Sequence, residues 1–185
     1  AELCMLFWSQ GLKEIVIHET KKANTDTIEV SAASFQLMAV GNTILYGFLA
    51  IILFIFLESQ VLILLSLICG AGIWFRSFEA YELWFHANLQ VRLSIRIQFV
   101  SQFIYMSTIV LLILFEAHLL WFGVAYSLQL IISGLGFMIL YRYERGGFQL
   151  FTNNWTLQKK MINYGKYMIL AKLVFLATFI VDRFL

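Results

Sequence analysis

Long apolar runs separated by short charged segments constrain this chain more than any other feature. The segment from Leu37 to Leu57 is 21 residues long and holds no charged side chain. At a rise of about 1.5 Å per residue, a helix of that length crosses a hydrocarbon core of about 30 Å. Only 13% of all residues are charged, about half the share of a soluble domain. The chain is therefore predicted to lie in a membrane, with lipid covering part of its surface.

The apolar runs predict five membrane-spanning helices. Val61 to Phe75 is apolar but too short to cross by itself, so the second helix is expected to continue through a charged stretch to Phe85. The predicted fold class is an all-α integral membrane protein, a multi-pass helical bundle. The five expected spans are Leu37–Leu57, Val61–Phe85, Ile97–Phe115, Leu119–Tyr141 and Met161–Leu185.

The apolar residues at both ends of the sequence suggest a larger protein. Residues 3–8 form a short apolar run that we interpret as the end of an earlier helix, and the last span runs to Leu185. We therefore expect the sequence to be a piece of a longer chain. Leu12 to Glu19 is predicted to form a short helix at the membrane surface.

The basic residues between the spans predict an orientation. Segments 9–33, 86–96 and 142–160 hold nine Lys or Arg residues, whereas the turns at Glu58 and Glu116 hold none. Loops rich in Lys and Arg stay on the cytoplasmic side of a membrane. The three segments are therefore predicted to be cytoplasmic loops, and the two short turns to face the other side.

Charged side chains within the second span form the first group of candidate functional residues. At about 100° per residue, Arg76, Glu79, Glu82 and His86 share an arc of roughly 120° on one helix face. In one interpretation they extend to the membrane interface and pair, Arg76 with Glu79. In the other, their face lines a water-filled cavity, because charges in a membrane helix are costly and usually functional.

The last span carries the second group. Lys166 lies near the cytoplasmic end of the span and can extend to the interface, whereas Lys172 lies near its middle and needs a partner or a polar cavity. Lys172 is expected either in a structural salt bridge or in contact with an anionic substrate such as a diphosphate. Asp182 and Arg183, near the outer end, are expected to form an interfacial pair or to join the cavity lining.

Composition and spacing disfavour several other classes of function. The net charge is +2, and no basic patch with interleaved aromatic residues predicts nucleic-acid binding. Cys4 and Cys69 lack metal-ligand spacing, and no phosphate-binding glycine loop or zinc-type His/Glu motif occurs. The chain is predicted not to be an enzyme and to hold neither a metal nor a cofactor.

Three segments carry a family resemblance in order along the chain, and they are Gly11–Glu19, Phe78–Gln90 and Ile180–Leu185. Together they resemble bacterial polysaccharide (O-unit) flippases of the multidrug/oligosaccharidyl-lipid/polysaccharide exporter superfamily. Gly11–Glu19 is similar to the segment after their second helix. Phe78–Gln90 is similar to their fourth helix and its following loop, and Ile180–Leu185 to the Asp-containing end of their seventh helix. The family usually has a proline early in the seventh helix, where this chain has Gly165 and Lys166.

The resemblance implies a two-lobed exporter of twelve or more helices in the inner membrane. Residues 1–160 would belong to the N-terminal lobe, and residues 161–185 would begin the C-terminal lobe. The implied cargo is an undecaprenyl-diphosphate-linked oligosaccharide for polysaccharide or O-antigen synthesis, flipped by alternating access. Implied partners are the lipid bilayer, the lipid-linked oligosaccharide, and a polysaccharide polymerase with its assembly proteins. The candidate substrate-binding or cavity residues remain the charged residues of the second and last spans, namely Arg76, Glu79, Glu82, Lys166, Lys172, Asp182 and Arg183.

Two other functions stay open at this point. A drug/cation antiporter of the same superfamily would depend on Glu79 and Glu82 more than on Lys172. A membrane enzyme of glycan assembly would need long external loops for its catalytic residues, and the predicted external turns are short.

Overall fold

The computed structural model describes residues 16–20, 27–56, 59–147 and 149–167 of the protein. A short 3-10 turn, Arg76–Phe78, follows the helix Gln60–Phe75 directly and leads into the helix Glu79–Ala87. Residues 16–20 and 155–167 are also helical, and the described part of the chain contains no strand. The prediction of an all-helical chain is confirmed for these residues. The labelled helices are α1 (Thr27–Phe56), α2 (Gln60–Phe75), α3 (Glu79–Ala87), α4 (Val91–Leu114) and α5 (Leu119–Arg145).

Four helical stretches in the described residues are long and apolar enough to cross a membrane. They are Thr27–Phe56, Gln60–Ala87, Val91–Leu114 and Leu119–Arg145. The second stretch confirms that the helix beginning near Val61 continues past Phe85. Of the fifth predicted span, only residues up to 167 are described, and these are helical. The remainder of that span lies outside the described residues.

The connections at one end of the bundle are shorter than predicted. The expected loop 86–96 shrinks to Asn88–Gln90, because α4 already begins at Val91 and includes Arg92 and Arg96. The expected loop 142–160 shrinks to residues 146–154, and residues 27–33 of the expected loop 9–33 are already helical. The reason is that a helix satisfies its own backbone hydrogen bonds, so it continues through polar residues after the apolar run has ended.

Side-chain contacts between the helices define their relative direction. The Tyr46 hydroxyl donates to the Leu67 carbonyl at 3.3 Å, and Asn42, one turn earlier in α1, donates to the Ile73 carbonyl later in α2, so these helices run antiparallel. The Nε2 atom of Gln129 donates to Oε1 of Gln102 at 2.5 Å, and Gly136 later in α5 lies against Ile97 earlier in α4, so α4 and α5 are also antiparallel. The end at which α3 passes into α4 and α5 finishes is called the basic end below. Its basic residues in these helices are Arg92, Arg96, Arg142 and Arg145.

Close packing of α2 on α5 depends on small residues. A Cβ atom added at Gly72 would lie 2.8 Å from the Ser127 Cα atom, and one added at Gly134 would lie 2.6 Å from the Phe75 carbonyl oxygen. The Ser127 hydroxyl donates to the Ile68 carbonyl at 2.6 Å. Small residues and interhelical hydrogen bonds of this kind bring membrane helices together, since lipid supplies little hydrophobic driving force between them.

The buried core lies toward the basic end and is rich in aromatic rings. Phe78 packs between Phe35 and Tyr81, with ring centroids 4.9 and 6.3 Å away, and Tyr81 packs on Tyr141 at 4.9 Å. Helical residues 16–20 join this core, because Val16 is fully buried. The helix predicted over Leu12–Glu19 is confirmed for residues 16–19. Its placement on the membrane surface stays a prediction.

Candidate functional site

A break in the second span positions its charged side chains. The helix tightens to a 3-10 turn at Arg76–Phe78, then resumes as α3. The Nδ2 atom of Asn42 donates to the Ile73 carbonyl at 3.3 Å and to the Ser77 hydroxyl at 3.0 Å. The absence of a Cβ atom at Gly134 lets the Phe75 carbonyl approach α5 from the other side. Such a 3-10 stretch within a longer helix often marks a functional hinge.

Arg76 and Glu79 form an ion pair across this break. The Nε atom of Arg76 donates to Oε1 of Glu79 at 2.7 Å. Both side chains are partly buried. The predicted pairing at three-residue spacing is confirmed. Because Ala87 lies eleven residues beyond Arg76, this pair is roughly 16 Å along the helix from the basic end.

Glu82 connects α3 to α4 through one carboxylate oxygen. Its Oε1 atom accepts from the Ser94 hydroxyl at 2.5 Å and from Nε2 of Gln98 at 2.7 Å. Nε2 of His86 lies 3.3 Å from the same oxygen. The Glu82 side chain is only 12% exposed. Hydrogen bonds to an ionised group are about twice as strong as neutral ones, so these donors stabilise a carboxylate largely removed from water.

Arg76, Glu79 and Glu82 line one cleft, which lies among the 3-10 turn, α3, α4 and α5. The cleft has a volume of about 570 Å³. Arg76, Glu79 and Glu82 therefore lie together, as the helical wheel predicted. The cleft's other polar side chains are neutral, and they are Gln98, Ser101, Gln102, Tyr126, Gln129 and Ser133.

The charged side chains of the cleft differ from those of an anion-binding site, which would be mainly cationic. Among the described residues, its charged groups are one guanidinium and two carboxylates, and the guanidinium is already paired with Glu79. Carboxylates only accept hydrogen bonds when ionised, whereas carboxamides donate and accept. A neutral, hydroxyl-rich ligand or a cation fits this lining better than a phosphate does, because a phosphate would face the Glu82 carboxylate.

Lys166, a further predicted site residue, does not line this cleft. Lys166 lies on the exposed face of helical residues 155–167, with its Nζ atom 5.1 Å from the centroid of the Tyr167 ring. It borders a different surface hollow, together with Lys159 and Lys160. The other predicted residues, Lys172, Asp182 and Arg183, lie outside the described residues.

α4 contributes polar residues to the cleft that were not among the predicted site residues, although the sequence contains a signal for them. Ser94, Gln98 and Gln102 follow one another at four-residue spacing, which places them on one face of a helix. Two of them lie within a predicted span, where polar side chains usually face the bundle interior. In the structure this face meets Glu82 and Gln129 and forms a wall of the cleft.

The cleft's chemistry points to binding, and likeness to other proteins adds no further assignment. In the described part of the chain, no three His, Cys, Asp or Glu residues come together as a group that could hold a metal ion. Comparison of the chain with protein-family models, curated proteins and solved structures gives no match. The resemblance to O-unit flippases therefore rests on the three sequence segments alone.

Proposed function

We propose that this chain is part of a flippase that moves an undecaprenyl-diphosphate-linked oligosaccharide across the inner membrane by alternating access. The observation that carries the proposal is the cleft of polar side chains within three apolar helical stretches. Polar and ionisable groups inside a membrane are expensive and are usually retained for a substrate pathway. The cargo itself comes from the sequence resemblance.

In this proposal the cleft binds the sugar portion of the substrate. Hydroxyl groups of a sugar both donate and accept hydrogen bonds, which matches the carboxamides of Gln98, Gln102 and Gln129. The carboxylate of Glu82 accepts from a hydroxyl group, and the Arg76 guanidinium remains beside Glu79. The diphosphate is assigned to Lys172, the mid-span cation predicted from the sequence.

Movement between the two access states is assigned to the second span. The 3-10 turn at Arg76–Phe78 separates α2, which packs on α5, from α3, which is bonded to α4. A change at this turn would alter the angle between the two parts and thereby the width of the cleft. In the complete two-lobed protein, residues 1–160 would belong to the first lobe, with the basic end facing the cytoplasm.

Substitution in the full-length protein tests the proposal. Arg76→Ala, Lys172→Ala and the double variant Gln98→Ala/Gln102→Ala should each lower glycan export at least tenfold at normal membrane abundance. Ser107→Ala is the matched control, because Ser107 is exposed on α4 and donates to the Phe103 carbonyl of its own helix. Export at the wild-type level in all three variants would show that the assigned roles are wrong.

The charge balance of the cleft favours a second candidate, a drug/cation antiporter. Two carboxylates against one guanidinium suit a cationic substrate. Glu82→Gln removes a charge while it keeps a hydrogen-bond acceptor. The antiporter proposal is preferred over the flippase proposal if that variant abolishes efflux of cationic drugs and glycan export does not depend on the protein.

A further inference from the structure

Helical residues 155–167 have two contrasting faces. Leu157, Met161 and Gly165 are buried against the bundle and follow one another at four-residue spacing. The opposite side, here called the lysine face, consists of Lys159, Asn163, Lys166 and Tyr167, all exposed. The buried side fixes the rotation of the helix, so the lysine face points away from the core.

Polar contacts attach this helix next to the start of α1. Nδ2 of Asn154 donates to Oε2 of Glu29 at 3.2 Å, and the carboxamides of Gln158 and Gln36 are in contact. Nζ of Lys160 donates to Oε2 of Glu19 at 2.9 Å. The helix therefore begins at the same level as α1. Tyr81 of α3, a helix that ends at the basic end, donates to the Gln149 carbonyl just before it.

The sequence around the lysine face is strongly basic. Between Glu144 and Asp182 the sequence contains no Asp or Glu, but it contains five Lys or Arg residues. Lys160 is paired with Glu19, whereas Lys159 and Lys166 form no ion pair with any acidic residue among those described. Both side chains are exposed in the described structure.

Exposed aromatic rings accompany the lysines. Trp155, Tyr164 and Tyr167 are each more than half exposed, and the Tyr167 ring lies beside the Lys166 ammonium. Trp and Tyr favour the level of the lipid headgroups, where one part of the ring contacts hydrocarbon and its polar atom meets water. Lysine side chains extend along such a surface and place their charge at the same level.

We propose that the lysine face binds the phosphate of an anionic phospholipid headgroup in the leaflet at the basic end. The ammonium groups of Lys159 and Lys166 supply the charge, Asn163 supplies a hydrogen-bond donor, and Tyr167 anchors the helix at headgroup depth. This site shares no residue with the cleft. It therefore does not depend on whether the protein carries glycans or drugs.

Lipid binding to the full-length protein in neutral detergent tests this inference. Phosphatidylglycerol and phosphatidylcholine of equal chain length are titrated, and the bound lipid is counted by native mass spectrometry. K159Q and K166Q should each weaken phosphatidylglycerol binding about fivefold, and the double variant about 25-fold, since each lysine near an anionic surface contributes a similar increment. Phosphatidylcholine binding should be unchanged, and raised salt should reduce the difference between the two lipids.

The double variant R92Q/R96Q is the matched control, because it removes the same charge from exposed residues of α4 at the same end. It should leave phosphatidylglycerol binding within about twofold of the original. K159R/K166R should retain binding, because the charge is preserved. An equal loss in R92Q/R96Q, equal affinity for phosphatidylcholine, or equally strong competition by inorganic phosphate would each overturn the proposed headgroup site.

Discussion

The ammonium group of Lys160 lies 2.9 Å from the carboxylate of Glu19, which precedes it by 141 residues. The Glu19 side chain is 5% exposed, while that of Lys160 is 40% exposed. The pair therefore attaches a buried carboxylate near the beginning of the chain to the helix that follows the α5 loop. It connects two segments that are distant in sequence and lie at the basic end of the bundle.

Lys160→Met should destabilise the folded protein by about 1–2 kcal/mol. Removing the cation leaves a buried carboxylate with less compensation, and the effect is moderated because Lys160 is partly exposed. Lys159→Met is the matched control, since Lys159 is exposed and has no ion pair in the described residues. Thermal unfolding in neutral detergent, followed by tryptophan fluorescence, measures both. Equal Tm values for the two variants would contradict a stabilising role for the pair.

Gly134→Ala should destabilise the bundle by about 1–3 kcal/mol, because overpacking forces the backbone to move. Its new Cβ atom would lie 2.6 Å from the Phe75 carbonyl oxygen, which is backbone and cannot rotate away. The matched control is Gly47→Ala, where no heavy atom lies within 4 Å of the added Cβ. That control should leave stability unchanged or raise it by up to about 1 kcal/mol, given the better helix propensity of Ala. Denaturant titration of both variants in the same detergent provides the comparison.

Asn42→Leu should weaken the junction between α2 and the 3-10 turn. The substitution removes the donor to the Ile73 carbonyl and the Ser77 hydroxyl, both in a buried setting. A loss of about 1–3 kcal/mol is expected, since a buried polar group loses its partner. Thr43→Val serves as the control, because Thr43 is exposed and donates only within its own helix, to Ala39. If both variants unfold at the same denaturant concentration, Asn42 does not stabilise the turn.

Glu82→Leu should destabilise the contact between α3 and α4 more than Glu82→Gln does, by about 1–2 kcal/mol. Leucine leaves the Ser94 hydroxyl and the Gln98 carboxamide without their acceptor, whereas glutamine keeps a carbonyl oxygen there. Hydrogen exchange of the α4 amides and denaturant titration measure the difference. Matching stability in the two variants would mean that the hydrogen bonds to Glu82 contribute little to the packing of α3 on α4.

The second span was predicted in part from the sequence. The expectation that the helix passes through the charged stretch was right, because an apolar run of that length cannot cross a membrane by itself. The same reasoning placed Arg76 and Glu79 on one face and paired them, as the structure does. It could not place the 3-10 turn between them, since that turn depends on Asn42 from α1 and Gly134 from α5.

The sequence by itself determined that the chain is helical and membrane-embedded, because apolar length and the distribution of charge follow directly from residue order. Only the tertiary structure decided which polar groups of different helices meet. Ser94 and Gln98 reach Glu82 because Leu89, with a φ of 60°, reverses the chain between α3 and α4. The same packing placed Lys166 on a surface away from the cleft. Contacts between different helices depend on how their faces fit together, and a linear pattern of residues does not contain that information.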